Sequence, residues 1–374
     1  MLTRYSFLWI SRREELFEKK NAETVIIVFN EVSGMYSFAS DYLEGACPEV
    51  LEELVRTNSA QSPGYGLDPW CEAAAKKIRE AIGRADSDVH FVPGGTPANV
   101  LAMCLLKPYE AVICAESGHI NVHETGAVEA VGHKILAVPG KDGKISAASV
   151  RNICDLHTDE HMVRPKMVFL SHASEYGTIY SRKELEEIRE VCTANQLYLY
   201  IDGARIANAL CAKGNDLTLP MIAAAADLFY IGGTKNGALL GEAMVINHPS
   251  LKPDFRYLIK QRCSMLAKGR ILGVQFLRLF QDDLYLRNAD HANRMAQKLK
   301  QAFIENGCQM YIVSLTNQIF PIVENALLEK LKEEYEFLTW AKYDENHTVI
   351  RLVCSWATKE EIVQEFCEKL KTVK

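Results

Sequence analysis

An aspartate and a lysine each follow a short apolar run near the middle of this 374-residue chain. Asp202 comes directly after Tyr-Leu-Tyr-Ile at 198–201, and Lys235 follows Leu-Phe-Tyr-Ile at 228–231. A lysine amine can form a Schiff base with an aldehyde, and a carboxylate can keep a pyridine nitrogen protonated so that the ring accepts electrons. The pair therefore predicts a pyridoxal 5'-phosphate (PLP) cofactor and chemistry at the Cα of an amino acid.

A glycine-rich turn between a predicted strand and a predicted helix offers a site for the cofactor phosphate. Residues 91–99 read Phe-Val-Pro-Gly-Gly-Thr-Pro-Ala-Asn. Helix N-termini expose unpaired N–H groups that bind anions, so Gly95 and Thr96 are predicted to hold the phosphate, with an ordinary turn as the alternative. Thr234, beside Lys235, is a further predicted cofactor contact. The sequence contains neither G-x-G-x-x-G nor a Walker A lysine, which disfavours dinucleotide and ATP binding.

Two histidines lie one helical turn apart in Gly-His-Ile-Asn-Val-His-Glu-Thr-Gly at 118–126. His119, His123 and the adjacent Glu124 lack the H-E-x-x-H pattern and an evident third ligand, so a metal site is disfavoured. Two interpretations of His119 stay open at this point. It is either a histidine hydrogen-bonded in a polar loop, or a group that lies against the cofactor ring or acts as an acid or base near the substrate.

Three arginines are candidates for binding the cofactor or the substrate carboxylate. Arg205 follows Asp202 by three residues and is predicted to contact the cofactor. Arg351 interrupts the apolar run Val-Ile-Arg-Leu-Val at 349–353. A guanidinium is seldom buried without a partner and binds carboxylates through two hydrogen bonds, so this residue is predicted to hold the substrate carboxylate. Arg270 is either a second phosphate contact or part of a solvated loop.

Short apolar strands alternate with helical stretches between about residues 86 and 247, which is typical of a mostly parallel sheet covered by helices. The predicted strands are 89–92, 111–114, 134–138, 167–171, 197–201, 228–231 and 243–246. The helices predicted between them include 98–106, 182–194 and 219–226. Ligands bind at the carboxyl ends of strands in such sheets, and Asp202 and Lys235 both follow strand ends.

The chain is predicted to be an α/β protein whose large domain, residues 37–275, contains this seven-stranded sheet. Residues from about 250 to 285 contain basic loops and then a long amphipathic pattern, which predicts a helix that links the large domain to a small α+β C-terminal domain, residues 276–374. The strands predicted there are 311–313, 318–323 and 348–353, and the helices are 326–335 and 359–373. Residues 1–36 are predicted to be an N-terminal extension.

Composition narrows the class of partner. The net charge of −6, without a long basic block, argues against nucleic acid as the main partner. No apolar run is long enough to span a bilayer, and the opening residues are not followed by a signal-peptide cleavage site. The eleven cysteines are scattered and form no C-x-x-C motif, which predicts a reduced, cytoplasmic protein.

These motifs occur in the order and spacing of a known family. They are Tyr65-Gly-Leu-Asp-Pro69, the Gly-Gly-Thr turn, Gly118-His119, Asp202-Gly-Ala-Arg205, Lys235 and Arg351-Leu-Val. As a set they resemble the threonine aldolase/aromatic amino acid β-eliminating lyase family, which are PLP enzymes of fold type I in the aspartate aminotransferase superfamily. The resemblance extends from about Phe38 to the C-terminal region.

The resemblance implies roles for the residues around the cofactor ring. Lys235 resembles the lysine that forms the Schiff base, and Asp202 resembles the partner of the pyridine nitrogen. Arg205 matches a contact to the ring hydroxyl, and His119 matches the histidine that stacks on the ring.

The resemblance also implies roles at the phosphate and at the substrate. Gly95 and Thr96 match the phosphate-binding turn, and Arg270 looks like the phosphate-binding arginine of the family. Arg351 and Ser40 match the residues that bind the substrate carboxylate.

The chain departs from the family pattern at four places. Ala39-Ser-Asp-Tyr42 replaces Arg-Ser-Asp-Thr, and Leu67 stands where an acidic residue is common. The segment that matches Glu-x-x-His-Asn-Gly is His172-Ala-Ser-Glu-Tyr-Gly177, and Gly-Gly-Thr precedes Lys235 in place of Leu-Ser. These changes concern the choice of substrate more than the cofactor.

The residues and the resemblance together predict a PLP-dependent lyase that cleaves β-hydroxy-α-amino acids, such as L-threonine or L-allo-threonine, to glycine and an aldehyde. Lys235 and His119 are the predicted catalytic residues, with His119 or a water molecule it orders as the base. The alternative is β-elimination from serine, cysteine or an aromatic amino acid, which would use the same residues. Transamination and a non-catalytic binding role are less favoured. The resemblance further implies a homotetramer, or a homodimer with shared active sites.

Overall fold

The computed structural model describes residues 35–372. Within that range the strands are β1 (Tyr36–Ser37), β2 (Asp88–Val92), β3 (Glu110–Ala115), β4 (Ile135–Val138), β5 (Arg164–Ser171), β6 (Tyr198–Asp202), β7 (Leu228–Gly232), β8 (Glu242–Ile246), β9 (Met310–Ile312), β10 (Gln318–Glu324), β11 (Tyr335–Glu336), β12 (Leu338–Lys342) and β13 (His347–Val353). The predicted extension, residues 1–36, lies almost wholly outside the described residues.

The described α-helices alternate with the strands in the first two thirds of the chain. They are α1 (Pro48–Thr57), α2 (Pro69–Ile82), α3 (Gly95–Met103), α4 (His119–Val122), α5 (Ala127–Ala130), α6 (Ala147–Leu156), α7 (Arg182–Ala194), α8 (Ile206–Leu210), α9 (Leu219–Ala225), α10 (Phe255–Gln261), α11 (Arg270–Leu279), α12 (Leu284–Glu305), α13 (Asn325–Leu331) and α14 (Glu360–Thr372). No helix of residues 35–372 is long and apolar enough to cross a membrane.

A seven-stranded sheet in the order β2-β8-β7-β6-β5-β3-β4 forms the centre of the protein. Neighbouring strands from β7 to β4 pair in parallel, and β8 runs antiparallel to both β2 and β7. The mostly parallel seven-stranded sheet predicted from the sequence is therefore confirmed. Every residue of β3, β7 and β8 is buried, because helices cover both faces of such a sheet and continuous apolar runs are needed to fill them.

The two faces of the sheet carry separate cores. On one face, Ile78 of α2 and Ile188 of α7 belong to the same buried cluster as the sheet residues Ile113 and Ile231. On the other face, Leu101 of α3 packs with residues of α10 and with alternate sheet side chains. Alternation of side chains along each strand divides the apolar residues between these layers.

A four-stranded antiparallel sheet in the order β12-β13-β10-β9 follows in the C-terminal region. Its apolar face packs on α12 and α14, with Leu299 and Phe366 fully buried. This confirms the predicted fold class with its smaller C-terminal sheet. From Met35 onward the chain forms one compact unit, and the boundary at 275/276 stays a prediction.

The chain segment before α1 runs beside the C-terminal sheet. Tyr36 pairs with Tyr335 of β11, and the Val353 amide of β13 donates to the Phe38 carbonyl oxygen at 2.8 Å. Phe38 is fully buried among the C-terminal apolar side chains. This pairing brings the next residues, 39–41, alongside β13, the strand that carries Arg351.

Candidate active site

The carboxyl ends of four neighbouring strands meet at one edge of the large sheet. The strands β3, β5, β6 and β7 run in parallel, so the residues that follow them lie on the same side. β2 also ends there, because it is antiparallel to β8, which is antiparallel to β7. The topology therefore brings Asp202, His119, the turn before α3 and the loop between β7 and β8 that carries Lys235 to the same edge of the sheet. A ligand site is expected at this edge of an open sheet.

Asp202 is buried and held by three hydrogen bonds. Its Oδ1 atom accepts from the Tyr230 hydroxyl at 2.5 Å and from the Ala204 amide at 3.0 Å. Its Oδ2 atom accepts from the Asn99 side chain at 3.2 Å. Burial and the charge of Asp202 raise the pKa of Tyr230 well above its ordinary value, so the hydroxyl remains a donor. The carboxylate is fixed in position before any ligand binds.

The imidazole of His119 joins the same network through Glu124. His119 Nδ1 lies 2.8 Å from Glu124 Oε1, and that buried oxygen also accepts from the Asn99 amide at 2.6 Å. Glu124 Oε1 already accepts from the Asn99 amide and therefore acts as an acceptor, so the imidazole proton belongs on Nδ1 and Nε2 is left as an acceptor. His119 is thus linked to Asp202 through Glu124 and Asn99, and its role at the cofactor or the substrate stays a prediction. His123 lies beside it, with ring centroids 5.4 Å apart.

Lys235 is half-buried in the turn between β7 and β8, and no hydrogen bond or ion pair within residues 35–372 engages its amine. Burial and the nearby charge of Arg205 lower the pKa of Lys235, although Asp41 and Asp202 act in the opposite direction. A larger share of the amine is therefore neutral and able to attack a carbonyl. Among described residues, this is the combination of features that a Schiff-base lysine requires.

The residues around Lys235 shape its turn. Thr234 Oγ1 accepts from the Gly241 amide at 2.9 Å, which closes the turn and leaves the predicted cofactor contact of Thr234 a prediction. The Gly233 amide donates to Glu242 Oε2 at 2.8 Å. Burial raises the pKa of Glu242 to about 7.

The predicted phosphate turn begins α3 beside Asp202. Gly94 precedes the helix in an extended conformation and no side chain caps the first amides, so these amides are free to bind an anion. A Cβ atom on Gly95 would lie 3.1 Å from the Tyr230 hydroxyl, the group that also holds Asp202. Thr96 follows in the first turn, and Asn99 lies one turn further along the helix. The geometry therefore fits a phosphate here.

Arg205 forms an ion pair with Asp41. Its Nε and Nη2 atoms donate to the two carboxylate oxygens of Asp41 at 2.6 and 3.0 Å, and Asn317 donates to the same carboxylate at 2.9 Å. Burial alone would raise the pKa of Asp41, but the charges of Arg205 and Lys235 hold it below its ordinary value. Asp41 thus neutralises Arg205 inside the site.

Arg351 has no such partner. Its Nη2 atom donates to the Ala39 carbonyl oxygen at 3.2 Å and its guanidinium lies 5.5 Å from the Trp340 ring centroid, but no carboxylate in residues 35–372 pairs with it. Its Nε atom is buried without a hydrogen bond, as is the Ser40 hydroxyl. Burial and the charge of Arg205 lower the pKa of Arg351. A partly buried cation without an acidic partner and a buried hydroxyl without a hydrogen bond fit a carboxylate ligand.

Arg270 lies apart from the other predicted site residues. At the start of α11 it donates to the carbonyl oxygens of Thr57 and Ala60, and its guanidinium is 4.7 Å from the Trp70 ring centroid. No contact within residues 35–372 joins it to the turn at Gly95. A single chain therefore does not bring the predicted phosphate arginine to the predicted phosphate turn.

Several groups that the structure brings into the site have no role predicted from the sequence. They are Asp41, Asn99, Glu175, Tyr230 and Glu242. Asn99 lies one helical turn after Gly95, a spacing that could have indicated a shared face. The others come from different elements. No three or more His, Cys, Asp or Glu side chains of the described range are grouped so as to hold a metal ion.

Comparison with known proteins relates this site to a family. The family model of the β-eliminating lyases matches residues 37–326. The chain belongs to the β-eliminating lyase family. The low specificity L-threonine aldolase of Pseudomonas aeruginosa is 34% identical over 344 residues, which covers 90% of this chain and 97% of that protein. The predicted family is confirmed.

Solved structures agree with this assignment. The threonine aldolase of Leishmania major has a TM-score of 0.89 and 44% identity, covering 90% of this chain and 99% of that one. An aspartate aminotransferase mutant of Thermus thermophilus has a TM-score of 0.66 at 15% identity, covering 91% and 92%. At this identity the aminotransferase shows the shared fold alone, and the predicted fold class is confirmed.

Proposed function

We propose that this β-eliminating lyase family member is a PLP-dependent lyase that cleaves β-hydroxy-α-amino acids, L-threonine and L-allo-threonine among them, to glycine and an aldehyde. The observation that carries the proposal is a Lys235 amine without a hydrogen bond or ion pair, close enough to the fixed Asp202 carboxylate to interact with its charge. Relatives named low specificity L-threonine aldolase, which match over nearly their whole length, support the choice of reaction.

The residues present fit PLP as the cofactor. When bound, PLP supplies an aldehyde that condenses with amines and a protonated ring that stabilises negative charge at the Cα. Asp202 is buried and positioned to hold a proton on the ring nitrogen. The amides at Gly95 and Thr96 are available for the phosphate, and the neutral form of Lys235 is available for the aldehyde.

The substrate carboxylate is proposed to bind Arg351 and Ser40. Arg205 is already neutralised by Asp41, so Arg351 supplies the unpaired positive charge. Binding there satisfies Arg351 Nε and Ser40 Oγ, both of which are buried without a partner in the described structure. The carboxylate anchor fixes the Cα, which decides the bond that is aligned for cleavage.

His119 is proposed to take the proton of the β-hydroxyl group. Breaking the Cα–Cβ bond of such a substrate requires that proton to leave as the aldehyde forms. Nδ1 of His119 is hydrogen-bonded to Glu124, so Nε2 is the free base, and the Glu124 carboxylate stabilises the imidazolium that results. In the alternative reaction, β-elimination, the same group would protonate a leaving group, and the family is named for that reaction.

We further propose that the enzyme is a homotetramer or homodimer with shared active sites, located in the cytoplasm. Arg270 is bound to the carbonyl oxygens of Thr57 and Ala60 in its own chain. A second copy of the chain would therefore have to bring an Arg270 side chain to the phosphate. All eleven cysteines are free thiols, which supports a reducing compartment.

A Lys235→Ala variant tests the cofactor chemistry. We expect PLP added to this variant to give none of the visible absorption of the loaded enzyme and no glycine from L-allo-threonine. Lys213→Ala removes an exposed lysine and serves as the matched control. Turnover by Lys235→Ala at the control rate would overturn the proposal.

A further inference from the structure

Glu175 is a partly buried acid that the mechanism above leaves without a role. It lies in the loop after β5, whose last residue, Ser171, pairs in register with Asp202 of β6. Its Oε1 atom accepts from the His119 amide at 2.8 Å and from the Ser171 hydroxyl at 2.6 Å. These two bonds tie the carboxyl group to the histidine and to the strand beside the aspartate.

The second oxygen of this carboxyl group has nothing to bind in the protein. Glu175 Oε2 is inaccessible to solvent and has no hydrogen-bond partner among the described residues. A buried, unsatisfied carboxylate oxygen is costly, so either a bound molecule satisfies it or the group carries a proton there. Because Oε1 already accepts two hydrogen bonds, the proton of the neutral acid belongs on Oε2.

The surroundings of Glu175 favour the neutral form. Burial raises the pKa of Glu175 despite the hydrogen bond from Ser171, and the negative charge of Asp202 adds to the increase. Arg205, a cation whose charge interacts with Glu175, is neutralised by Asp41. The other titratable groups that interact with it are the His119 ring, the Cys114 thiol and the Tyr176 and Tyr180 hydroxyls.

We propose that Glu175 is a cofactor-binding residue whose Oε2–H group donates a hydrogen bond to the ring oxygen of PLP. This inference rests on the proposed function. The ring nitrogen is assigned to Asp202 and the phosphate to the turn at Gly95, so the ring oxygen is the acceptor that remains. The resemblance assigns Arg205 to that oxygen, but its Nε and Nη2 atoms donate to Asp41. Glu175 is therefore the neutral donor beside this acceptor.

The inference predicts a change in the spectrum of the bound cofactor. In the loaded enzyme, a hydrogen bond from Glu175 would stabilise negative charge on the ring oxygen, so the titration that changes the visible absorption would occur at lower pH. Glu175→Met keeps the length of the side chain but removes the donor, so the pH midpoint of the visible absorption change should rise by roughly one to two units. Glu175→Gln, whose amide still donates, should keep the wild-type midpoint.

The controls separate this inference from the proposed function. Glu116→Gln changes an exposed glutamate near His119 and should leave the midpoint unchanged. If wild-type protein with PLP shows no visible absorption, the proposed function fails and this inference with it. If the absorption is present, an unchanged midpoint in Glu175→Met overturns the inference alone. A lower midpoint in Glu175→Gln also overturns it, because that result means the wild-type group is an anion.

Infrared difference spectroscopy gives a second readout if Glu175→Met does not fold. The loaded wild-type enzyme should show a protonated carboxyl stretching band that the Glu175→Gln holoenzyme lacks, and this band should shift when PLP binds. Absence of such a band from the difference spectrum would contradict the proposal.

Discussion

His119 Nδ1 lies 2.8 Å from Glu124 Oε1, and the carboxylate that makes this contact is buried. Asn99 bridges Glu124 to Asp202, with distances of 2.6 and 3.2 Å. One amide side chain thus connects the carboxylate that orients the proposed base with the carboxylate proposed to face the ring nitrogen. The proposed base and the proposed cofactor partner are parts of one hydrogen-bond network.

Glu124→Gln should lower kcat for L-allo-threonine by roughly 10²-fold, because an amide does not stabilise the imidazolium that forms when His119 takes a proton. The pH profile of kcat should change along with the rate, which loss of structure alone would not cause. Glu129→Gln, an exposed glutamate of α5, is the control. A wild-type rate and pH profile for Glu124→Gln would show that His119 is not the base.

Arg351→Met should raise KM for the amino acid by about 100-fold, because the substrate carboxylate loses its unpaired cation. The same change should leave the free energy of unfolding unchanged or increase it, since the guanidinium is buried without an acidic partner and burial lowers its pKa. Arg294→Met, on the exposed face of α12, is the control for both measurements. A large loss of stability with a normal KM would assign Arg351 to the fold and not to the substrate.

Asp41→Asn should destabilise the protein by roughly 3–5 kcal/mol, because it leaves the Arg205 guanidinium buried and unpaired. The folded-state pKa of Asp41 is lowered, so its stabilisation is complete above the ordinary aspartate range and is lost as the pH falls through the folded-state value. The difference in unfolding free energy between wild type and variant should therefore shrink in acid. Chemical denaturation at several pH values measures it, and a difference that grows in acid would contradict the assignment.

Mixing Lys235→Ala with Arg270→Ala tests whether active sites are shared between copies. If Arg270 serves the partner's phosphate, each variant alone is weak or inactive, while a hybrid dimer carries one intact site. Random exchange of subunits makes half of the dimers hybrids, so about a quarter of the wild-type activity should return. No recovery after subunit exchange, with mixed oligomers demonstrated, would contradict active sites shared between copies.

Much of the large sheet could be predicted because its strands are buried on both faces and read as short apolar runs. The helix at 182–194 has the predicted bounds, since Ser181 and Glu184 form a capping box that is visible in the sequence. The exposed strand β12 was not predicted, because its residues become a strand only by pairing with β13. The linking helix predicted near 250–285 is instead divided into α10, α11 and the start of α12. The break before α12 falls at Asp282 and Asp283, which adopt positive φ angles.

Those site residues that follow the end of a predicted strand could be predicted from the sequence. Asp202 and Lys235 follow the carboxyl ends of β6 and β7, and these ends lie at the same edge of the sheet because the two strands are parallel. The pairing of Asp41 with Arg205 joins residues 164 positions apart, and no local pattern signals it. Glu175 is a similar case, because its contact with His119 depends on how two loops meet above the sheet.

Product analysis with L-allo-threonine tests the central claim most directly. The PLP-loaded enzyme is incubated with this amino acid, and glycine and acetaldehyde are assayed in the same sample, with Lys235→Ala as the blank. The proposed retro-aldol cleavage predicts both products in equal amounts. Release of ammonia and a keto acid without glycine would contradict it and assign the enzyme to β-elimination.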